Sequence, residues 1–570
     1  MSSKIGFSMD QPFTEAEKQR AMPLWLKYSV IVLIGLGVFF RLYHLDKKLY
    51  WIDETNSSLR TLGYTKSEMI HTVFTGNVVS VDQLWQFQRL SPDKGWADTW
   101  KALSGTAEHT PLYFLIARAW IGLVGHSVAA MRFVAAVFSL LVFPCLYWLC
   151  QELFHPAMGA PTSADVSPSA STSTSSTGLA KPVNPALVGW IAMALYAVTP
   201  LHVLYAQEAR PYSLLSLMIL LSSALLLRAI RTRSREVWLL YALSLVVGLY
   251  TQLLFSLIIL THGLYVLLIE HRRSVSSRNY LLSAAIAGIS LTPWLVLLVQ
   301  NWQKVEYSTR SLQKGPSFNT VLDRWALNLN LAFLDRELGW ANLLLVVITV
   351  IALFLLCRSV PKRTWLFILL LVGVTFTVLA IPDLLLGGRR SLRIRYLFAC
   401  FFGIQIAFAY VLATQAVWAK TWKQKAWRLF GVFLVVAGLI ACSVSSQAVI
   451  WWNKSFPRSG YYPGVSSIIN QATAPLVVSD GPTTDTLSFS TWLKPEVKLQ
   501  LTSRAGKLRI APGYDPVYLF NPSKQLLTTL KRRGYQLAIL YEDDTVPSDI
   551  ETRLVQVKRV KPQVKSPAQK

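Results

Sequence analysis

LWLKYSVIVLIGLGVFFRLY, residues 24–43, holds only Lys27 and Arg41 as charges in an otherwise largely apolar run. That length matches the roughly 20 residues a helix needs to cross a bilayer. Similar runs recur near 128–153, 186–200, 211–228, 236–253, 255–270, 279–299, 341–357, 364–381, 396–417 and 427–450. The composition agrees: 53% of the 570 residues are hydrophobic and 15% are charged, whereas soluble proteins carry about 25% charged residues. The sequence therefore predicts a polytopic α-helical membrane protein with about eleven transmembrane helices. A polar tail, 1–23, precedes the first run, and no small-residue cleavage pattern follows it. We read that run as an uncleaved first span.

The net charge of +26 does not point to nucleic acid, because the basic residues collect in short clusters between apolar runs. One cluster is Arg228, Arg231, Arg233 and Arg235, and the next is Arg272, Arg273 and Arg278. Arg358, Lys362 and Arg363 follow, then Lys420, Lys423, Lys425 and Arg428. An N-terminus in the cytoplasm puts all four clusters inside, as the positive-inside rule asks. That threading requires the short apolar stretch 110–125, interrupted by Arg118, to lie in the interface or re-enter rather than cross. It then belongs to a large outer loop, 44–127, within a membrane domain spanning 24–450.

Residues 156–185 are Ser-, Thr-, Pro- and Ala-rich with almost no charge, which predicts a disordered cytoplasmic linker. Past 450 the character changes to short strand-like stretches at 476–480, 497–501, 517–520 and 537–541, with a helix over 526–533. This is a small α/β domain, 451–570, expected on the extracytoplasmic side, with a loose basic tail from Lys558. It has no glycine-rich phosphate loop, so nucleotide binding is unsupported. Cys145, Cys150, Cys357, Cys400 and Cys442 form no paired motif and imply neither a disulfide framework nor a zinc site. Short loops and the lack of disulfide or retention signals favour a bacterial plasma (inner) membrane.

Three charged stretches on the outer face are left unexplained by topology. The first is Asp53-Glu54, just past the first span; ionisable groups at a membrane boundary are suspects for function. The second is Gln207-Glu208-Ala209-Arg210-Pro211-Tyr212, a short link between spans. The third is Gly387-Gly388-Arg389-Arg390-Ser391-Leu392-Arg393-Ile394-Arg395-Tyr396, whose four arginines run against the positive-inside trend. An anionic ligand on that side accounts for them, since the guanidinium fork matches phosphate oxygens. Contact with anionic lipid headgroups is the plainer reading of the same arginines.

The order of these motifs resembles the GT-C glycosyltransferases. It comprises Arg41-Leu42-Tyr43-His44-Leu45-Asp46 with Asp53-Glu54-Thr55, then His109-Thr110-Pro111-Leu112-Tyr113. Gly125-His126-Ser127-Val128-Ala129-Ala130-Met131-Arg132 follows, then the 207–212 motif and Arg395-Tyr396. The likeness is to the branch of protein O-mannosyltransferases, lipid A aminoarabinose transferase and bacterial family 39-like enzymes, and covers roughly 30–400. His-Thr-Pro stands here where many relatives have His-Pro-Pro.

The resemblance implies transfer of a sugar from a polyprenyl-phosphate donor to a hydroxyl of a lipid, glycan or protein acceptor, with inversion, on the outer face. It makes Asp53 the general base, with Glu54 supporting. Arg210, Arg393, Arg395 and Tyr396 would meet the donor phosphate, while His109, Tyr113 and Tyr212 shape the site. Glu208 is open between orienting the acceptor, positioning Arg210 and holding a divalent cation with Asp53; no cofactor is otherwise implied. A transporter or flippase of lipid-linked anions, or an oligosaccharide polymerase or ligase, could use the same arginines. Outer-face clustering and the absence of repeated halves count against the first. The early Asp-Glu pair favours monosaccharide transfer over the second.

Overall fold

The computed structural model describes residues 22–156, 183–270, 273–313, 315–454, 459–543 and 551–559. The tail expected over 1–23 and the linker expected over 156–185 fall outside these residues except at their edges. Among the described residues, eight helices are long and apolar enough to cross a membrane: Leu24–Leu42, Val128–Leu153, Tyr212–Thr232, Val275–Gln300, Gly339–Ser359, Lys362–Leu386, Phe398–Ala416 and Trp422–Gln447. Pro185–Val198 and Pro200–Ala206, bent by 62° at their junction, pass the same test as a pair and make nine if the pair is one span. Arg235–Thr251 and Ser256–Ile269, two shorter helices, complete the eleven runs. Leu239, Leu243, Ile289, Leu343 and Val347 are all more than half exposed. Such outward apolar surface is a liability in water and the expected surface in lipid. The chain is a multi-pass membrane protein.

The two breaks have local causes. Pro200 lacks the N–H that would continue the helix and pushes Thr199 out of helical geometry, to ψ 115°. Gln252 is extended, at φ −164° and ψ 136°. Both breaks lie at the same end of the bundle as Asp53. The opposite end gathers the basic clusters: Arg228 and Arg231 pair with Glu152 at 3.3 and 2.8 Å, and Arg363 with Glu270 at 3.4 Å. The first and third clusters thus share one end, close to Glu270 at the edge of the second, as the alternating threading requires.

The first helix is fastened by one glycine and one arginine. Gly37 lies against Ala197, where a Cβ would sit 2.7 Å from its neighbour. That contact brings the fully buried Arg41 within reach of the carbonyls of Ala197 and Tyr196, both at 2.9 Å, and of Ser139 Oγ at 2.8 Å. A buried guanidinium is tolerated only when its donors are matched in this way.

The strands expected in the C-terminal region are present as β2 (Leu476–Ser479), β3 (Lys498–Thr502), β4 (Val517–Phe520) and β5 (Tyr535–Asp543), with a helix at Lys524–Arg532. Two further strands were not expected. β1 (Thr75–Ser80) comes from the first loop, and β6 (Glu551–Arg559) includes Lys558, where a loose tail was expected. The sheet order is β1-β3-β2-β4-β6-β5, parallel at β2–β3 and β2–β4 and antiparallel elsewhere.

Strand alternation sends Leu476, Val478 and Leu519 toward Leu526 and Leu530 of the Lys524–Arg532 helix. Val477, Leu499, Tyr518 and Phe520 face the first loop and share a core with Leu49, Trp51, Leu59 and Leu84. Each such buried side chain contributes roughly 1.5–3 kcal/mol, so loop and domain pack as one unit rather than as tethered pieces. The 110–125 stretch forms a helix, Leu112–Val124, of 13 residues, shorter than a span.

Candidate active site

Asp53 and Glu54 open the helix Ile52–Thr61, where the N-terminal dipole favours acidic side chains. Neighbours on a helix diverge by about 100°, and the two carboxylates go to different places. Glu54 is fully buried: Arg132 binds it with Nε and Nη2 at 2.7 and 2.8 Å, Lys454 Nζ stands at 3.1 Å, and the Ala209 N–H donates at 2.9 Å. Arg132 spends its other donors on the carbonyls of Leu45, Lys48 and Leu49. All five guanidinium N–H groups are therefore used. Burial alone would raise the Glu54 pKa, but Arg132 and Lys454 outweigh it and bring it down to about 2.

Asp53 instead lines a cavity of about 1050 Å³. Its Oδ2 accepts from Arg395 at 2.9 Å and faces Arg210 Nη2 at 3.6 Å.

The link after the bent span divides its labour residue by residue. Gln207 donates to the carbonyls of Phe40 and Tyr43, both at 2.8 Å, and accepts from Lys48. Burial and the Lys454 and Arg132 charges bring the Lys48 pKa down to about 7. Glu208, also fully buried, accepts from Trp51 Nε1 at 2.8 Å and lies 3.8 Å from Lys454. Burial, with the Glu54 charge, raises its pKa. Ala209 gives its N–H to Glu54, and Arg210 enters the cavity beside Tyr212, 3.4 Å from its hydroxyl. Burial works against the Arg210 charge, but the Tyr212 and Asp53 side chains more than restore it.

The arginine loop is folded around Asp383, which accepts from the Ser391 N–H and hydroxyl at 2.6 and 2.8 Å and pairs with Arg390 at 3.5 Å. Gly388 is required there, since a Cβ would stand 2.2 Å from Asp383 Oδ1. The loop then delivers Arg389, Arg393, Arg395 and Tyr396 to the cavity wall. Together with Arg60, Arg210 and Arg324, six arginines line the cavity against two carboxylates, Asp53 and Glu108.

Of the residues singled out in the sequence, Asp53, Arg210, Arg393, Arg395, Tyr396, His109 and Tyr212 line the cavity, whereas Glu54, Glu208 and Tyr113 stand behind its wall. His109 is held neutral: burial, then the Arg60 and Arg210 charges, push its pKa well below the ordinary value. Arg60, Glu108, Arg324 and Asn453 were not anticipated. Arg60 had a readable signal, lying seven residues after Asp53 on one helix face. Burial lowers its pKa to about 10, which leaves it a cation at neutral pH.

A divalent ion shared by Asp53 and Glu208 does not fit this arrangement. Asp53 faces two guanidinium groups, Glu208 is bound to Trp51 and lies beside Lys454, and no group of three or more His, Cys, Asp or Glu side chains that could hold a metal comes together among the described residues.

No family model matches the sequence, and no curated protein matches it. Among solved structures the chain is similar to ArnT from Cupriavidus metallidurans in the apo state, at 12% identity and a TM-score of 0.48, over 94% of this chain and 97% of that one. The same protein bound to undecaprenyl phosphate gives 12% identity and 0.49, over 94% and 98%. The S. cerevisiae protein O-mannosyltransferase Pmt1-Pmt2 complex bound to the sugar donor gives 13% and 0.28, over 57% of this chain and 39% of that one.

Proposed function

We propose that this protein transfers a hexosyl or pentosyl group from a polyprenyl-phosphate carrier to a hydroxyl of a lipid, glycan or protein acceptor, inverting the anomeric centre. The observation that carries the proposal is the convergence of six arginines on one cavity with Asp53 among them. Departure of a polyprenyl phosphate builds negative charge on the leaving oxygen, which fixed cationic donors stabilise. Arg210, Arg393 and Arg395 are assigned that task, with Tyr396 beside them. An acceptor hydroxyl must lose its proton as it attacks the anomeric carbon. Of the two cavity-lining carboxylates, Asp53 and Glu108, we assign the base to Asp53, which stands beside Arg210 and Arg395. Glu54 and Glu208 do not touch substrate in this reading. They hold the Asp53 helix, Trp51 and the 207–210 link in register.

The Asp53 carboxylate lies between Arg210 and Arg395, which makes it a poor base while both pairs stand. A donor phosphate arriving at those arginines competes for them and releases Asp53 toward the acceptor. The base is thus activated when the leaving group is bound, which suppresses idle chemistry on an unoccupied site. Polar groups gathered at one end of the bundle, rather than at the midplane of repeated halves, speak against the transporter reading.

The cavity end is assigned to the extracytoplasmic side of a bacterial plasma membrane, with the four basic clusters in the cytoplasm. In a cysteine-free background, a single cysteine placed in the 418–421 connection should resist an impermeant thiol reagent added to intact cells, and one at the exposed Trp96 should react. The reverse labelling would invert the orientation. For the activity, membranes containing the protein should move label from a polyprenyl-phosphate sugar of one type to an endogenous acceptor. No transfer from any such donor, together with measurable flipping of the lipid, would replace the transferase by a transporter.

A further inference from the structure

The last membrane helix, Trp422–Gln447, is followed by a turn whose side chains are divided between fixed partners and none. The indole N–H groups of Trp451 and Trp452 both donate to Asp335, the first at 2.9 Å. Lys454 is buried against Glu54 at 3.1 Å and Glu208 at 3.8 Å. Between these anchors Asn453 is 6% exposed and lines the cavity, yet neither its Nδ2 nor its Oδ1 has a hydrogen-bond partner. Two dipeptides 400 residues apart are thereby zipped side by side. Asp53-Glu54 and Asn453-Lys454 each bury their second residue in the shared ion pair and present their first to the cavity.

A buried amide with both ends unmatched loses its water without compensation, and native structures rarely leave such a group unexplained. The turn around it is pinned on both sides, so the orphan is not a slack surface residue. Among the neutral cavity-lining side chains three more share the condition: Gln252 Oε1, at the extended break between helices, Thr110 Oγ1 and Asn56 Oδ1. Arg60, Arg210 and Arg395 each keep an unmatched N–H for the phosphate. Their chemistry separates the candidate ligands. A phosphate offers only acceptors and would leave Asn453 Oδ1 facing oxygen; the arginines already suit it better. A polyprenyl chain offers nothing to either atom. A sugar offers hydroxyls that donate and accept, which matches an amide presenting one of each. Trp51 and Trp452 also line the cavity, their N–H groups spent on Glu208 and Asp335, leaving ring surface to cover sugar C–H groups.

We infer that Asn453 is the specificity-determining residue of the sugar subsite, reading neutral hydroxyls of the transferred sugar beside Asp53, with Gln252 and Thr110 as further contacts. This rests on the donor reading above and adds which part of the donor is recognised, and by what.

The test uses the full-length protein in membrane vesicles that retain the endogenous acceptor, with undecaprenyl-phosphate glucose, mannose and arabinose and the monodeoxy analogues of whichever is used. Binding of sugar-free undecaprenyl phosphate is measured in lipid nanodiscs. Asn453→Leu should lower kcat/KM for that donor by at least ~30-fold and leave binding of sugar-free undecaprenyl phosphate within about twofold. Wild type should reject one monodeoxy donor by about tenfold or more, and Asn453→Leu should no longer distinguish it from the parent; a site built to bind a hydroxyl discriminates against its absence. Asn453→Asp, which keeps the shape and one acceptor, guards against loss of fold and should fall between the two. Unchanged kcat/KM, retained discrimination, or loss of undecaprenyl phosphate binding in parallel with turnover would each overturn the assignment. If wild type uses none of the donors and flips the lipid instead, the polyprenyl-phosphate transferase reading fails, and the subsite with it.

Discussion

Asp53→Asn should lower turnover by about two to four orders of magnitude, the range a positioned general base supplies, while binding of undecaprenyl phosphate tightens. The two effects have one origin. Asp53 Oδ2 is held at 2.9 Å by Arg395 and faces Arg210 at 3.6 Å, so the carboxylate and the donor phosphate are rivals for the same guanidinium groups. Asparagine keeps the side-chain shape and an oxygen for Arg395 but removes the negative charge. The phosphate then meets two arginines with less competition, and a gain of severalfold, up to about tenfold or ~1.4 kcal/mol, follows. Calorimetry with sugar-free undecaprenyl phosphate and steady-state transfer measured on the same preparation separate the terms. Turnover within about threefold of wild type would remove Asp53 as the base. Weakened lipid-phosphate binding in step with turnover would make it a structural residue instead.

The parts of this arrangement that were legible in the sequence are those in which a residue breaks a rule visible along the chain. Apolar run length marks the spans. Arg389, Arg390, Arg393 and Arg395 stand out because they run against the charge bias that the other basic clusters obey. The strands at 476–479 and 517–520 show as short runs rich in β-branched and aromatic residues, buried on both faces. What was hidden depends on contacts between distant segments. TGNVVS at 75–80 has no strong pattern, and it becomes β1 because β3 offers an unpaired edge. Asp53 and Glu54 look equivalent in a string; the helical rotation between them, and the position of Arg132, decide that one lines the cavity and the other braces the wall. Lys454 reads as a flanking lysine after two tryptophans, yet it is fully buried against a carboxylate 400 residues away.

Glu54→Gln should be among the most damaging single substitutions in the protein, and through stability rather than chemistry. The change is isosteric, so no cavity opens. What it leaves is Arg132 and Lys454, both fully buried, without the charge between them. Removing one partner of a buried pair costs about 3–5 kcal/mol because the remaining charge is uncompensated. The carboxyl's own titration points the same way: burial alone would raise its pKa, but the Arg132 and Lys454 charges hold it well below the ordinary value. Since the folded-state value is the lower one, this stabilisation is present above pH ~4.5 and is lost as pH falls toward 2. Melting of the purified wild-type protein in detergent should therefore soften across that window, while Glu54→Gln should start lower and lack that part of the slope. Lys454→Met should cost less, because Glu54 keeps Arg132 and the Ala209 N–H. Lys454 can also relieve the mutant by shedding a proton, whereas Arg132 cannot. Arg132 therefore carries the damage in Glu54→Gln, and its release frees the carbonyls of Leu45, Lys48 and Leu49 that set the approach to Trp51 and Asp53. A Glu54→Gln protein that melts within a degree or two of wild type would show that the buried cluster is not what holds the site together.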